Sequence, residues 1–450
     1  MQKSFAMAAL LAASCGAQAA SDADLAAIRA QIDEMKKTYE QRIAALEQKL
    51  VQAESQASSQ AKSEKSAPAP APAESRQSVA TANAFNPEVS LILQGQYRNA
   101  KNVPGRGITG FVPGGEGLNA RGFSVDETEL VLAANIDPYW RGQVIVAMAD
   151  GQANIEEAWF QSLAIGQGVG LKAGRFRSGI GYLNEQHPHM WDFADAPLMY
   201  QAMFGEDASY VQDGVQLKWL APTSLFVEVG AEVGRGANFP GTDRNNNGTG
   251  GGALHVHVGD DVGVANSWRA GASWLKTRAS ERSSDFVDIS GATAQGAFAG
   301  DSTTWLADFV WKWAPNGNSA HQNFKFQSEY FVREEKGGLS CVGACVDSSY
   351  KTNQSGWYAQ GVYQFTPQWR AGLRYEQLDS GTRDFGVNAA NLVVDSYRPK
   401  KASAMVDYSW SEFSRVRLQV AQDKSMFGIT DNQLTLQYVM SLGAHGAHKF

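Results

Sequence analysis

The sequence predicts an all-β transmembrane barrel of about 16 antiparallel strands, preceded by a short N-terminal α-helical coiled coil. Three observations carry this reading. From residue 85 onward, apolar and polar residues alternate with period two, and the polar face bears charges of both signs. Short turns alternate with long Gly/Asn/Asp/Ser loops, the asymmetry of two barrel rims. No internal stretch approaches the roughly 18 consecutive apolar residues of a spanning helix, although the chain carries 45 Gly and 10% aromatic residues.

The elements follow in order. Lys3, the apolar run FAMAALLAAS and the small-x-small site Ala17-Gln18-Ala19 make residues 1–19 a secretory signal peptide. In residues 20–56, Leu25, Ile28, Ile32, Met35, Tyr39, Ile43, Leu46 and Leu50 form a heptad seam with one stutter. Residues 57–84 are an Ala/Pro/Ser-rich linker. A helix tethered so loosely needs its own partner, most simply its copies in a homotrimer. Residues 85–450 are the barrel. The segments near 155–177 and 253–266 show its weakest alternation.

Individual strands show the pattern. VSLILQGQY places Val89, Leu91, Leu93 and Tyr97 on one face. WLADFVWKW sets Trp305, Phe309 and Trp311 against Asp308 and Lys312. RVRLQVAQD sets Val416, Leu418 and Val420 against Arg415, Arg417 and Gln419. The apolar face suits lipid and the charged face suits a lumen, which in a barrel of this size is aqueous. Short turns at 137–140, 221–224, 366–369 and 411–414 mark the periplasmic rim. Long loops are expected at 99–122, 178–213, 235–252, 278–302, 336–354 and 381–400. The chain ends on a strand pattern and Phe450, similar to the signal read by the outer-membrane insertion machinery. The expected location is the outer membrane of a Gram-negative bacterium, with lipid as partner and the N-terminal segment in the periplasm.

Charge and motif content exclude several classes. The net charge is -7, with no basic block to neutralise phosphates, so no nucleic-acid partner is expected. G-x-S-x-G, H-E-x-x-H and Walker patterns are absent, and no enzyme is expected. DRNNNG at 243–248 begins like a calcium loop, but its twelfth position is Leu254, so it reads as an ordinary turn. Cys341 and Cys345, four apart in a Gly/Ser-rich loop, read as a disulfide in an oxidising compartment.

The runs GLKAGRFRSGIGYLNEQ (170–186) and YVQDGVQLKWLAP (210–222), with the order signal peptide, coil, linker and barrel, resemble the phosphate-selective porin O/P superfamily and its coiled-coil-bearing DcaP-like trimeric porins. The resemblance implies a sixteen-stranded diffusion pore with inward-folded loops, passing small polar solutes or ions. Phosphate selectivity is not carried over, because it rests on a basic lumen. Here Lys3 and eight further bases balance nine acids before residue 85, so the net -7 falls on the barrel. GYLNEQHPHMWDFADAPLMYQAMFG and SLGAHGAHKF also resemble outer-membrane proteins labelled zinc-regulated TonB-dependent receptors. No TonB partner is expected, because plug and 22-stranded barrel do not fit in this length. The alternatives to a pore are a metal-uptake receptor and an envelope tether or adhesin on a barrel anchor.

Within that frame, Glu185, His187, His189, Trp191, Asp192 and Asp195 fall in the third external loop, the one that commonly folds into porin lumens. Lys325, Arg333, Arg370, Arg374, Arg415 and Arg417 point inward, with Glu157, Glu228 and Glu232 roughly across the barrel. Opposed clusters of this kind either set up a transverse field or form a solvated polar lining with no preference, and Arg175 and Arg177 fall on the acidic side. Four of the seven histidines occur as H-x-H pairs, His187 with His189 and His255 with His257. They either brace an eyelet loop or meet at one constriction as a weak, transient zinc site. No resident cofactor is expected.

Overall fold

The structure, a computed structural model, describes residues 87–111, 121–125, 127–149, 151–205, 208–393 and 396–443. The expected signal peptide, coiled coil and linker, and Phe450, lie outside the described residues.

Seventeen strands form one closed antiparallel sheet. They are β1 (Glu88–Asn99), β2 (Gly122–Val125), β3 (Thr128–Asn135), β4 (Trp140–Ala149), β5 (Gln152–Ser162) and β6 (Val169–Arg177). β7 (Val211–Leu220), β8 (Phe226–Gly234), β9 (Gly251–Val262), β10 (Asn266–Val287) and β11 (Thr293–Trp313) follow. β12 (Asn323–Val342), β13 (Ser348–Gln364), β14 (Trp369–Asp384), β15 (Lys400–Ser411), β16 (Ser414–Lys424) and β17 (Asp431–Gly443) complete the wall. β2 and β3 pair with different halves of the same edge of β1, so together they fill one position and the barrel has sixteen. β1 also pairs with β17 from Ser90↔Gly443 to Asn99↔Leu434. Closure joins the first and last strands of the wall, so over the paired spans each strand's backbone groups are met by neighbours on both sides.

The period-two pattern sets the orientation of the wall. Val89, Trp305, Phe309, Tyr330, Leu418 and Val420 are exposed on the outer surface. Their neighbours Ser90, Asp308, Glu329, Arg417 and Gln419 are buried inside. An apolar outer belt over a polar interior is the surface of a membrane-spanning barrel. The ambiguous segments 155–177 and 253–266 contain β5, β6 and β9. Turns at 136–139, 221–225, 365–368 and 412–413 lie on one rim, as expected.

Two expected loops are mostly strand. β10 and β11 pair out to Val287↔Thr293, and β12 and β13 out to Leu339↔Ser348. The Gly- and Ser-rich stretches 278–302 and 336–354 therefore form tall hairpins. Strands of 20 to 22 residues are about twice what a bilayer crossing needs. Their outer halves meet no lipid, so they lose the apolar alternation that marks a strand. Cys341 and Cys345 are joined by a disulfide at the tip of one hairpin. Beneath it Phe286, Phe298, Leu339, Tyr350 and Phe385 form an apolar cluster.

Candidate functional site

The connection between β6 and β7, residues 178–210, turns into the barrel. It is the third long-rim connection, counted after those leaving β1 and β4. A loop buried this way must satisfy its backbone amides without water. Side chains of the wall do so. Gly179 N donates to Glu232 Oε1 (2.8 Å), and Gly181 N donates to Ser273 Oγ (3.1 Å). Tyr182 N and Leu183 N donate to the two oxygens of Glu329, both at 3.1 Å. Ala194 N donates to Gln419 Oε1 (2.7 Å), and Leu198 N to Glu376 Oε2 (2.5 Å). Wall cations cap loop carbonyls: Arg333 on Ala202, Arg415 on His189 and Arg417 on Trp191.

The loop's charged side chains match the wall they face. Asp192 pairs with Lys325 (2.5 Å) and Arg370 (3.2 Å). Asp195 pairs with Arg374 (2.6 Å) and Lys401, and accepts from Gln419 Nε2 (2.9 Å). Burial works against ionisation of Asp195, but Lys401 and Arg374 outweigh it and hold its carboxyl well below the usual range. At the other side, His187 Nδ1 lies 3.1 Å from Glu156 and Nε2 lies 2.8 Å from Glu157. His189 Nδ1 lies 2.8 Å from Glu129. Arg177 pairs with Glu156. Glu185 holds Lys218 at 2.7 Å. The short turn Pro188–Met190 fixes both imidazoles toward β3 and β5, with rings stacked 5.9 Å apart.

Between these contacts lies a packed core. Helix α1 (Leu198–Phe204) is buried along its whole length, against Ile108, Phe111, Phe331, Tyr358 and Leu378. The aqueous lumen expected from barrel size is therefore occupied at this level by the loop. The apolar run APLMYQAMF carries that core, and its missing signal was the partner wall, which is contributed by distant strands. Arg333, Arg374 and Arg417 are buried beneath the loop, with 0%, 3% and 1% of their surface exposed. Lys218, Lys325, Arg370 and Arg415 stay partly open to solvent, and all lie near the turn rim.

The expected separation of charge is modified. Glu157 does lie on β5, and Glu228 and Glu232 on β8, away from the basic strands β12 to β16. However, Asp407 and Glu376 sit among those bases, with Asp407 2.5 Å from Arg370 and 2.9 Å from Arg417, and Glu376 2.9 Å from Arg374. These two acids, with Glu129, Glu156 and Glu329, are not singled out as site residues by the sequence, and Gln419 appears there only as a polar-face residue of its strand. Period two would have placed all but Glu156 inward; Glu156 adjoins the inward Glu157 and shares its side because β5 is bulged there. Charge alone does not say which inward residues meet a loop. Nor do the four histidines meet at one point. His255 and His257 form a separate cluster with Glu228 at β8 and β9. Their strand fixes them there, while Pro188 directs His187 and His189 elsewhere.

His187 carries a pH dependence. Burial and the adjacent Arg177 oppose its protonation, but Glu129 and Glu157 prevail and push its pKa up to about 9. A folded-state pKa above the unfolded value makes its stabilising contribution complete below about pH 6.5 and lost as pH rises through about 9. The thermal-stability advantage of wild type over His187→Gln is expected to shrink between pH 7 and pH 10. An advantage constant across that window would mean that His187 is held as the neutral imidazole.

No family model matches the chain. An uncharacterized protein of Aquifex aeolicus (strain VF5) is 29% identical over 400 residues, spanning 82% of this chain and 80% of that one. Among solved structures, Pseudomonas putida OprB aligns with a TM-score of 0.50 at 13% identity, over 81% of this chain and 96% of that one. The outer membrane channel DcaP of Acinetobacter baumannii aligns at 0.47 and 13% identity, over 79% of this chain and 97% of that one. The OprB likeness shows a shared barrel fold and nothing of function. The DcaP likeness, at its lower score, adds no argument.

Proposed function

We propose that the chain is a passive diffusion channel of a Gram-negative outer membrane, a porin whose third loop forms its constriction. The observation that carries this is a closed apolar-belted barrel whose loop 178–210 docks inside by complementary charge. The cations near the turn rim stay partly open to solvent, where small polar solutes and ions can meet them. The two sequence runs that resemble the phosphate-selective porin O/P superfamily cover β6, the start of the loop and β7, the elements that build this constriction. On this reading the lipid-facing belt inserts with the aid of the outer-membrane insertion machinery. The coiled coil lies in the periplasm, and the working unit is a homotrimer with weak ion selectivity.

Purified protein in a planar bilayer should give stepwise, heat-sensitive conductance in groups of three steps. The steps should be small for a sixteen-stranded barrel, because the loop occupies the interior. Silent bilayers with an intact barrel would favour the tether, and current appearing only with an energised partner would favour a metal-uptake receptor.

A further inference from the structure

The two histidine pairs are not equivalent. Both nitrogens of His187 are hydrogen-bonded to carboxylates, and Arg177 pairs with one of those acids. His255 is different. It is 3% exposed, yet neither of its ring nitrogens has a hydrogen-bond partner among the described residues. Its closest acids lie beyond bonding range, Glu232 at 3.8 Å from Nδ1 and Glu228 at 4.0 Å from Nε2. His257, fully buried, reaches Glu228 at 3.3 Å through Nδ1, while its Nε2 has no hydrogen-bond partner among the described residues, Asp308 standing 3.9 Å away. Buried polar groups left unmet lose their hydration without compensation, so the arrangement asks for a ligand.

The fold builds this cluster. His255 and His257 are two apart on β9 and share a face, with rings stacked 5.2 Å apart. Each stands opposite a glycine on a neighbouring strand, Gly230 for His255 and Gly271 for His257. A Cβ at Gly230 would come within 2.0 Å of His255 Nε2, and one at Gly271 within 2.5 Å of the His257 ring. Any larger residue at either place would displace the imidazole. Glu228 completes the group from β8 as the cross-strand partner of His257.

We propose that Glu228, His255 and His257 bind a divalent first-row transition-metal cation of the zinc type. One carboxylate oxygen and two imidazole nitrogens lie within 4.8 Å of one another. Bonds of about 2.0–2.1 Å to a tetrahedral ion would draw them to roughly 3.4 Å apart, a change that side-chain rotation supplies. Imidazole with one carboxylate is a donor set suited to zinc, and three protein ligands leave a fourth position for water or solute. Nearby charge favours a cation. Glu185, Glu228, Glu232 and Asp308 face Lys172, Lys218 and Arg269, and Lys218 can leave Glu228 because Glu185 holds it at 2.7 Å. The site does not depend on the channel reading, since a barrel of any function could carry it.

The test uses the full chain, purified in detergent without a histidine tag, titrated with zinc alone against a chromophoric chelator. One zinc per barrel is expected. Its affinity should fall by at least about tenfold in His255→Gln, His257→Gln and Glu228→Gln, with no such fall in His187→Gln. Heat-modifiable migration on gels confirms that each variant is folded. X-ray absorption of the zinc-loaded wild type provides a readout independent of any variant, and two imidazoles with oxygen donors are expected. No zinc binding by wild type, binding that survives the His255 and His257 changes, binding lost in His187→Gln, or a shell lacking imidazole would each overturn the proposal. Bilayer conductance is measured separately, so failure of the metal site and failure of the channel reading are distinguishable.

Discussion

Replacing residues 182–206 with a short Gly/Ser linker is expected to raise single-channel conductance severalfold while leaving the barrel folded. The wall closes through strand-to-strand hydrogen bonds that do not involve the loop, from β1–β17 round to β1–β3. Sixteen strands enclose an aqueous channel once nothing fills it. The excision removes α1 and its core, which now occupy the interior. It also removes Asp192 and Asp195, leaving Lys325, Arg374 and Lys401 without those partners. The enlarged pore should therefore favour anions more than wild type does. Conductance and reversal potential in a salt gradient measure both effects. An unchanged conductance from a folded barrel would remove the loop from any role in limiting flow.

The second large effect is expected from Asp195→Asn. Asp195 joins Arg374, Lys401 and Gln419 from three strands. Lys401 and Arg374 are almost fully buried, and a buried ion pair broken from one side costs about 3–5 kcal/mol. Glu376 remains 2.9 Å from Arg374, so Lys401 bears most of the loss. Asp192→Asn should be milder. Its partners Lys325 and Arg370 are partly exposed, and Arg370 keeps Asp407 at 2.5 Å. Screening by water lowers the value of exposed pairs. Limited proteolysis reads the difference directly. Asp195→Asn should be cut within 183–205 far faster than Asp192→Asn, and both faster than wild type, with the barrel intact. Equal resistance in all three would mean that the apolar core of α1 alone docks the loop.

Much of this protein is legible in its residues taken singly and in pairs. Alternation in WLADFVWKW and RVRLQVAQD is a local property, imposed by lipid on one face and polar groups on the other, so strand identity and orientation follow from it. The rank of the histidine-bearing loop follows from counting turns. The Cys341–Cys345 pairing follows from proximity in sequence together with an oxidising compartment. Where lipid no longer acts, the signal fails, and the outer halves of the tall hairpins β10–β11 and β12–β13 carry the composition of loops for that reason.

The interior was decided by tertiary structure. Sequence shows that Asp192, Asp195, Arg374 and Lys325 are charged and face inward, but not that they meet, because their contacts join residues more than 130 positions apart. Docking of the loop depends on which of many inward side chains stand at matching heights around a closed wall. The histidines make the same point. H-x-H is visible twice, but one pair is held by carboxylates, on both nitrogens of His187 and on Nδ1 of His189, and the other has nitrogens without hydrogen-bond partners among the described residues. Spacing along a chain fixes which face a side chain shares, whereas closure of the sheet brings the groups that satisfy it, or leaves it without any.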